Sequence, residues 1–544
     1  MRICVLQSSY EGTDSALQDV DDMLAQPGLF TTEHTFSYRF IHKATAKEEI
    51  DALAAEGFDF YFNFMWGTLD DPVAGVLESR NARRRGAPPV PGSDRFPLFV
   101  KPANGCASQL IDDQSVCHNQ AELEGALRRI NSALYKARVR RAEALGIEDK
   151  RAFAESYDPI GRDSDDIVAQ EFIDGEDYTC TVIQIGDGCI ALTPHKYFTK
   201  ERPGREKFLT FELKFDDETH IKLVRKKDNP VLYQRLQKVA TEAFMVSGCQ
   251  GSNMGCDVDL RARPDGEVFA IEVNPQPAAF MPEGPFQDLP IVHRLPGGLA
   301  AVINIFIANY LLRNAAQQGV SEKIAAEYDS FAPKYDTLLD KCTTIAAGIK
   351  ALTESYDYDG TVFDLACGTG VVGRVLAESK RGSRLPGFDI TSRMGDICRS
   401  TGLYEHVHIE SMEAALLNCH RFADSVDHIV CFSALHFLRP EIFTFVLVLC
   451  FTLAKRSVSI SIDEIPDVYN ENLEKKGFGS MHSFNHLDSM LAFGEPPNWR
   501  LTKSTRQYSW TSPVTRDEIY TTYFRFDRIG ESQDLMFKGP EVPN

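Results

Sequence analysis

Short apolar runs broken by polar, helix-spaced stretches open the chain. Arg2–Gln7, Thr35–Ile41 and Phe58–Phe64 read as strands, with helical spacing over Asp14–Ala25 and Ala46–Glu56 between them. Such alternation predicts a parallel sheet. Pro72–Arg84 reads as a further helix, and Gly86–Gly92 as a turn-rich exit. Next come a buried strand ending in Lys101, a long helix over Asn119–Leu145, a polar loop over Arg151–Asp166 and a helix over Pro230–Met245. Gly255–Arg261 and Val268–Asn274 alternate on either side of Ala262-Arg-Pro-Asp-Gly266, whose Pro, Asp and Gly favour a turn, so a β-hairpin is expected there. An amphipathic helix (Gly297–Arg313) precedes a short linker, Asn314–Ser321. A second alternating set then begins with strands at Thr361, Leu385, His408 and Val426, followed by Ser457–Asp463 and Leu501–Ser512.

A length of 544 residues exceeds one core and calls for three or four compact units. A net charge of −20 argues against nucleic acid as partner, since phosphates demand clustered Lys and Arg. The longest apolar run, Ile442–Ala454, is too short to span a bilayer. Met1–Gln7 reads as a first strand and not as a signal peptide. Thirteen cysteines without a C-x-x-C pair suggest reduced thiols in a cytoplasmic protein and no zinc site. The partners expected are small molecules; oligomeric state is not legible.

Chemistry concentrates at the hairpin. Glu272 and Asn274, two residues apart on one strand, share a face, and Asp259 comes from its neighbour. Two carboxylates and an amide oxygen suit Mg²⁺, a hard cation that keeps phosphate oxygens in its shell. An edge hairpin with solvated acids is the competing reading. Upstream, Lys101 ends the strand Phe96–Val100, and Gly105, Ala107 and Ser108 leave room for backbone N–H groups to approach an anion. The alternative for Lys101 is a strand-end lysine facing water.

The order of Phe96-Pro-Leu-Phe-Val-Lys-Pro-Ala-Asn-Gly, Val168-Ala-Gln-Glu-Phe-Ile, Phe208-Leu-Thr-Phe-Glu-Leu-Lys-Phe and the hairpin resembles the ATP-grasp superfamily, in its D-alanine–D-alanine ligase-like branch. The resemblance implies that Glu171 meets the adenine amino group and that Asp177 (or Glu176) accepts the ribose hydroxyls. Lys101 and Lys214 would face phosphate, with Asp259, Glu272 and Asn274 on Mg²⁺. Glu11 would be a candidate for gripping a substrate ammonium. The sequence departs from the family in three places. Gly92–Pro97 runs directly into the lysine strand, omitting a helix, a strand and an earlier ATP-binding lysine. Phe215 replaces a tyrosine, and Ala278 stands where a glycine amide lines the oxyanion site.

In the second half, Thr361-Val-Phe-Asp-Leu-Ala-Cys-Gly-Thr-Gly-Val-Val-Gly373 gives a strand ending in Asp364, a glycine turn with Gly368 and Gly370, and a helix start. A strand-end carboxylate beside an open backbone turn suits a cationic amino-acid cofactor. The stretch resembles the first motif of class I S-adenosylmethionine-dependent methyltransferases. That resemblance implies that Asp389 accepts both ribose hydroxyls and that Glu410, Ser411 or Met412 touches the base. His436, at the end of the fourth strand, is placed as a general base or substrate contact; a satisfied core histidine is the alternative. Tyr328 and Tyr335 either cap the cofactor or pack in the core.

The expected organisation is α/β multidomain. It comprises a pre-ATP-grasp unit (1–92), an ATP-grasp fold (93–315), a linker (316–322), a Rossmann-like seven-stranded methyltransferase domain (323–530) and a tail (531–544). The implied function is an ATP-dependent carboxylate–amine ligase joined to a small-molecule methyltransferase, using ATP, Mg²⁺ and S-adenosylmethionine. The rival is an active methyltransferase carrying a catalytically degenerate ATP-grasp module.

Overall fold

The computed structural model describes residues 1–9, 24–42, 45–65, 96–103, 108–144, 146–156, 167–214, 216–275, 279–280, 289–313, 315–339, 343–378, 383–530 and 534–540. Two units are formed, residues 1–182 with 191–290, and residues 183–190 with 291–544. The expectations at Glu11, Pro72–Arg84, Gly86–Gly92, Gly105, Phe215 and Ala278, and most of Asp14–Ala25, lie outside the described residues.

In the first unit, β1 (Arg2–Ser8) runs parallel to both β2 (Thr35–Ile41) and β3 (Phe60–Phe64). Its residues are buried from Ile3 onward, as a central strand of a parallel sheet requires. Cys4 and Leu6 pack with Ile41 and with Leu53 from the helix Ala46–Ala55. A second small sheet places β4 (Leu98–Pro102) between β5 (Val116–Cys117) and β6 (Ile167–Glu171), antiparallel to each. The helix Gln120–Ala144 covers it through Ala126, Ile130 and Leu134. Part of the polar stretch expected as loop is a helix, Lys150–Ser156.

β7 (Glu176–Ile185) turns at Gly186 into β8 (Gly188–Ala191), a hairpin whose tip belongs to the second unit. The larger sheet of the first unit has the order β10-β9-β7-β11-β12, where β9 is His195–Phe198, β10 His220–Leu223, β11 Gly255–Ala262 and β12 Val268–Asn274. β11 and β12 form the expected hairpin, closed by Arg263 N–H donating to Glu267 O at 2.9 Å, with Gly266 at φ +85°. The helix Pro230–Ser247 starts where Asn229 Oδ1 accepts from Leu232 N at 3.1 Å and stops at Gly248, φ +79°.

The second unit is built on a seven-stranded mixed sheet. Its order is β16-β15-β13-β17-β18-β20-β19, with the two-residue β14 (Ser383–Arg384) beside β13. These are β13 (Gly360–Leu365), β15 (Pro386–Asp389), β16 (His406–Ile409), β17 (His428–Cys431), β18 (Ser457–Glu464), β19 (Trp499–Thr511) and β20 (Glu518–Arg528). The first five on this path run parallel, while β20 and β19 return antiparallel. The order reverses between β13 and β17, which opens a crevice at the carboxyl ends of the strands.

Three segments at the expected boundaries have defined structure. The helix Gly298–Arg313 groups with the second unit. It is apolar nearly all round, and its buried amides bind within that unit: Asn304 donates to Thr444 Oγ1 at 3.2 Å, and Asn309 accepts from Gly186 N at 2.7 Å. The segment read as a linker lies largely within a helix, Ala315–Leu339. The expected tail contributes β21 (Met536–Lys538), which pairs with β8. No helix among the described residues is long and apolar enough to cross a membrane.

Candidate functional sites

The first site lies between the two sheets of the first unit. β4 supplies Lys101, the loop after it Ser108, and the end of β6 Glu171. β7 supplies Asp177 and Thr179, the short helix Phe211–Lys214 its last residue, β11 Asp259 and Arg261, and β12 Glu272; all line one cavity. Register explains the acidic part. Asp259 sits directly opposite Glu272, and Asn274, two residues on, shares that face. Lys101 Nζ lies 2.6 Å from Glu272 Oε2 and its side chain is 13% exposed, so it turns inward and not to water. Asp259 Oδ1 accepts from Thr179 Oγ1 at 2.7 Å, and its Oδ2 from Asn274 Nδ2 at 3.3 Å. Desolvation pushes the Asp259 carboxyl above its ordinary range; Lys214 opposes this and Glu272 reinforces it.

Two facing carboxylates, one of them electrostatically strained by the other, form a donor set that a hard cation would relax. Asp259, Glu272 and Asn274 therefore fit Mg²⁺. Asn274 does not itself line the cavity and touches the site through Asp259.

Asp177 lines the same cavity and already has a partner. Its Oδ1 accepts from Arg261 Nη1 at 2.6 Å, and Arg261, 6% exposed, also donates to the carbonyls of Ile173, Gly175 and Lys207, each at 2.7 Å. Asp177 is thus held in a latch, its carboxyl pushed up to about 6 by burial against the opposing pull of Arg261. Its neighbour Glu176 is paired with Lys196 at 3.1 Å. Glu171 lines the cavity with Oε1 taken by Arg263 at 2.7 Å. Arg261 was not foreseen, although it lies two positions beyond Asp259. Arg261→Met is expected to cost about 3 kcal/mol, read as a lower melting temperature, because it strands a half-buried carboxylate and three carbonyls together.

The second site is the crevice of the seven-stranded sheet. Ala366 and Gly368 come from the turn after β13, Asp389 to Thr391 from the end of β15, Glu410 to Glu413 from beyond β16, and Phe432 to Ala434 from beyond β17. Tyr328 and Tyr335 line it from the helix Ala315–Leu339, so their side chains face the cavity. Met412 lines it, as do Glu410 and Ser411. Asp389 is fixed by two backbone donors, Gly368 N–H to Oδ2 at 2.8 Å and Thr391 N–H to Oδ1 at 2.9 Å. Gly368 and Gly370 have φ of +52° and +89°, turn conformations that favour glycine.

Three residues stand differently from expectation. Gly370 backs the turn without lining the cavity, because its N–H closes onto Cys367 O at 2.9 Å. Asp364, 1% exposed, does not line it either; its Oδ2 accepts from Tyr404 Oη at 2.6 Å. Burial pushes the Asp364 carboxyl up to about 7, with the Tyr404 hydroxyl pulling the other way. His436 also lies outside the lining. Its Nδ1 is 2.9 Å from Asp463 Oδ2 at the end of β18, unaligned for a hydrogen bond, and its ring centroid is 4.1 Å from that of Phe437, which does line the cavity. Burial in this pair withdraws the imidazole from the cavity surface. The partner Asp463 was not foreseen.

Residues 146–281 match the family described as D-ala D-ala ligase C-terminus, and residues 362–455 the family described as methyltransferase domain. The D-alanine–D-alanine ligase A of Mesorhizobium japonicum is 24% identical over 205 residues, 36% of this chain and 53% of that ligase. The chain thus spans about half the length of this curated relative. Among solved structures, the VanG D-Ala:D-Ser ligase from Enterococcus faecalis aligns with 57% of this chain and 99% of its own, at 14% identity and a TM-score of 0.34. Magnesium protoporphyrin IX methyltransferase from Synechocystis PCC 6803, solved with bound SAM, aligns with 35% of this chain and 80% of its own, at 15% identity and a TM-score of 0.26.

Proposed function

Because the chain joins a D-Ala–D-Ala ligase C-terminal (ATP-grasp) domain to a class I S-adenosylmethionine methyltransferase domain, we propose that it is a bifunctional biosynthetic enzyme. One half is an ATP-dependent carboxylate–amine ligase and the other methylates a small molecule. The observation that carries the ligase reading is the convergence of Lys101, Ser108, Glu171, Lys214, Asp259 and Glu272 on one cavity. Mg²⁺, held by Asp259, Glu272 and Asn274, would neutralise phosphate charge there. Lys101, now paired with Glu272 at 2.6 Å, would offer its ammonium to phosphate alongside Lys214 once Glu272 served a cation. A substrate carboxylate attacks the γ-phosphorus and ADP leaves. An amine then takes the acyl group and phosphate departs. Phosphoryl transfer of this kind depends on positioning and on cations more than on acid–base groups.

In the second unit, Asp389 would take the ribose hydroxyls, and Tyr328 and Tyr335 would cover the cofactor. Methyl transfer to an amine asks for desolvation and alignment, which an aromatic-walled cavity provides without His436 at its surface. The substrates are small carboxylates and amines.

A specific observation favours the rival, a degenerate ATP-grasp module: both acids proposed for the ribose already have cationic partners in Arg261 and Lys196. Calorimetric titration with ATP–Mg²⁺ and, separately, with S-adenosylmethionine decides between them. Binding of both supports two working sites; cofactor binding without ATP binding sinks the ligase.

The cofactor's ammonium would gain from Asp364 as a carboxylate, and burial pushes that carboxyl up to about 7. S-adenosylmethionine affinity is therefore expected to fall by up to ~10-fold per pH unit below about pH 7 and to level off above it. A flat calorimetric profile between about pH 6 and about pH 8 removes Asp364 from cofactor binding.

A further inference from the structure

Tyr404 follows the helix Ser392–Ser400, forty positions from Asp364, yet its hydroxyl reaches that carboxylate and also accepts from Gly373 N–H at 3.0 Å. Its ring occupies a space that three glycines leave open. An added Cβ would approach the ring to 2.5 Å at Gly373, 2.8 Å at Gly387 and 3.2 Å at Gly370. Neither Gly373 nor Gly387 adopts a left-handed φ, so close approach of Tyr404, and not backbone conformation, explains why glycine stands at these two positions. The third glycine of the motif thus seats an aromatic ring.

Asp364 is held by one oxygen. Oδ2 takes the Tyr404 hydroxyl, while Oδ1 receives no hydrogen bond from the described residues. The same carboxylate ends β13 beside Ala366 and Gly368, which line the cavity. We propose that Tyr404 is a positioning residue for the cofactor: its hydroxyl fixes the Asp364 rotamer so that Oδ1 serves the ammonium of the amino-acid end. This deepens the reading of the second unit as an S-adenosylmethionine site and rests on it. The ionisable groups around Asp364 are Tyr404, Asp389, Cys367 and Cys431. Tyr404 is the hydrogen-bond donor among them that favours the carboxylate.

Tyr404→Phe tests this, since it keeps the ring in its glycine seat and removes the hydroxyl. The probes are S-adenosylhomocysteine and 5′-methylthioadenosine, which share the nucleoside and differ in the amino-acid end, titrated into the full chain. S-adenosylhomocysteine affinity is expected to fall about 10-fold, and 5′-methylthioadenosine affinity to stay within about twofold. The pH at which S-adenosylhomocysteine binding reaches its plateau should also move upward, because the variant carboxyl has lost the donor that favoured ionisation. Equal losses for both probes would mean a general packing role and overturn the proposal, as would no loss for either. A wild-type chain that binds neither probe would refute the cofactor reading itself, and this inference with it.

Discussion

Asp259→Asn is expected to weaken ATP–Mg²⁺ binding about 100-fold, or roughly 2.7 kcal/mol, while leaving the melting temperature of the unliganded chain unchanged or higher. Both signs come from the same geometry. Asp259 is desolvated and faces Glu272 across the hairpin, and its carboxyl is raised above its ordinary range. A group raised in this way favours the fold when protonated, and that contribution is lost as pH rises through its folded value. Wherever Asp259 is ionised it therefore costs the folded chain stability, and a neutral amide relieves that cost. The amide oxygen can still accept from Thr179, so local order persists. What is lost is a hard anionic ligand, which Mg²⁺ needs. Calorimetry with and without Mg²⁺ checks the first sign and thermal denaturation the second. Unchanged affinity would place the metal elsewhere. A clear drop in melting temperature would make Asp259 a structural acid and favour the degenerate-module reading.

The contrast between hairpin and latch shows where sequence is informative. Asp259, Glu272 and Asn274 were readable because a period of two and a turn fix which side chains share a face, and the pairing of Asp259 with Glu272 follows from those local rules. The glycine turn after β13 was readable for a similar reason, since positive φ restricts residue type. Arg261 was not: its three carbonyl partners lie 54 to 88 positions away and carry no side-chain signature. The same holds for Tyr404 on Asp364 and Asp463 beside His436, contacts that exist only once strands are ordered. β20 was missed although its neighbour β19 was read, and it lies between β18 and β19. Chain order gives no hint of that insertion. The unit with which the helix Gly298–Arg313 groups is not legible in sequence either, because an apolar surface says that a helix is buried, not in which core.

Asp389→Ala is expected to reduce S-adenosylmethionine affinity by about 100-fold or more, the largest single loss in the second unit. The carboxylate is oriented from behind by Gly368 N–H and Thr391 N–H, one on each oxygen. The Thr391 side chain also stabilises the carboxylate; since a carboxylate accepts up to about four hydrogen bonds, acceptor capacity remains for ribose hydroxyls. Alanine removes both contacts to the ligand and leaves two buried amides without acceptors, one of them at the start of the helix Ser392–Ser400. Asp389→Asn separates these effects. Its oxygen satisfies one backbone donor, but its NH₂ meets the other N–H group head-on, so an intermediate loss of about 10-fold is expected. Measured by calorimetry, the order wild type, Asn, Ala should hold for 5′-methylthioadenosine as well as for S-adenosylmethionine, since both carry the ribose. That distinguishes Asp389 from Tyr404, whose effect depends on the amino-acid end. If Ala and Asn variants bind like wild type, the crevice does not hold a nucleoside at β15, and the methyltransferase reading of this unit loses its anchor.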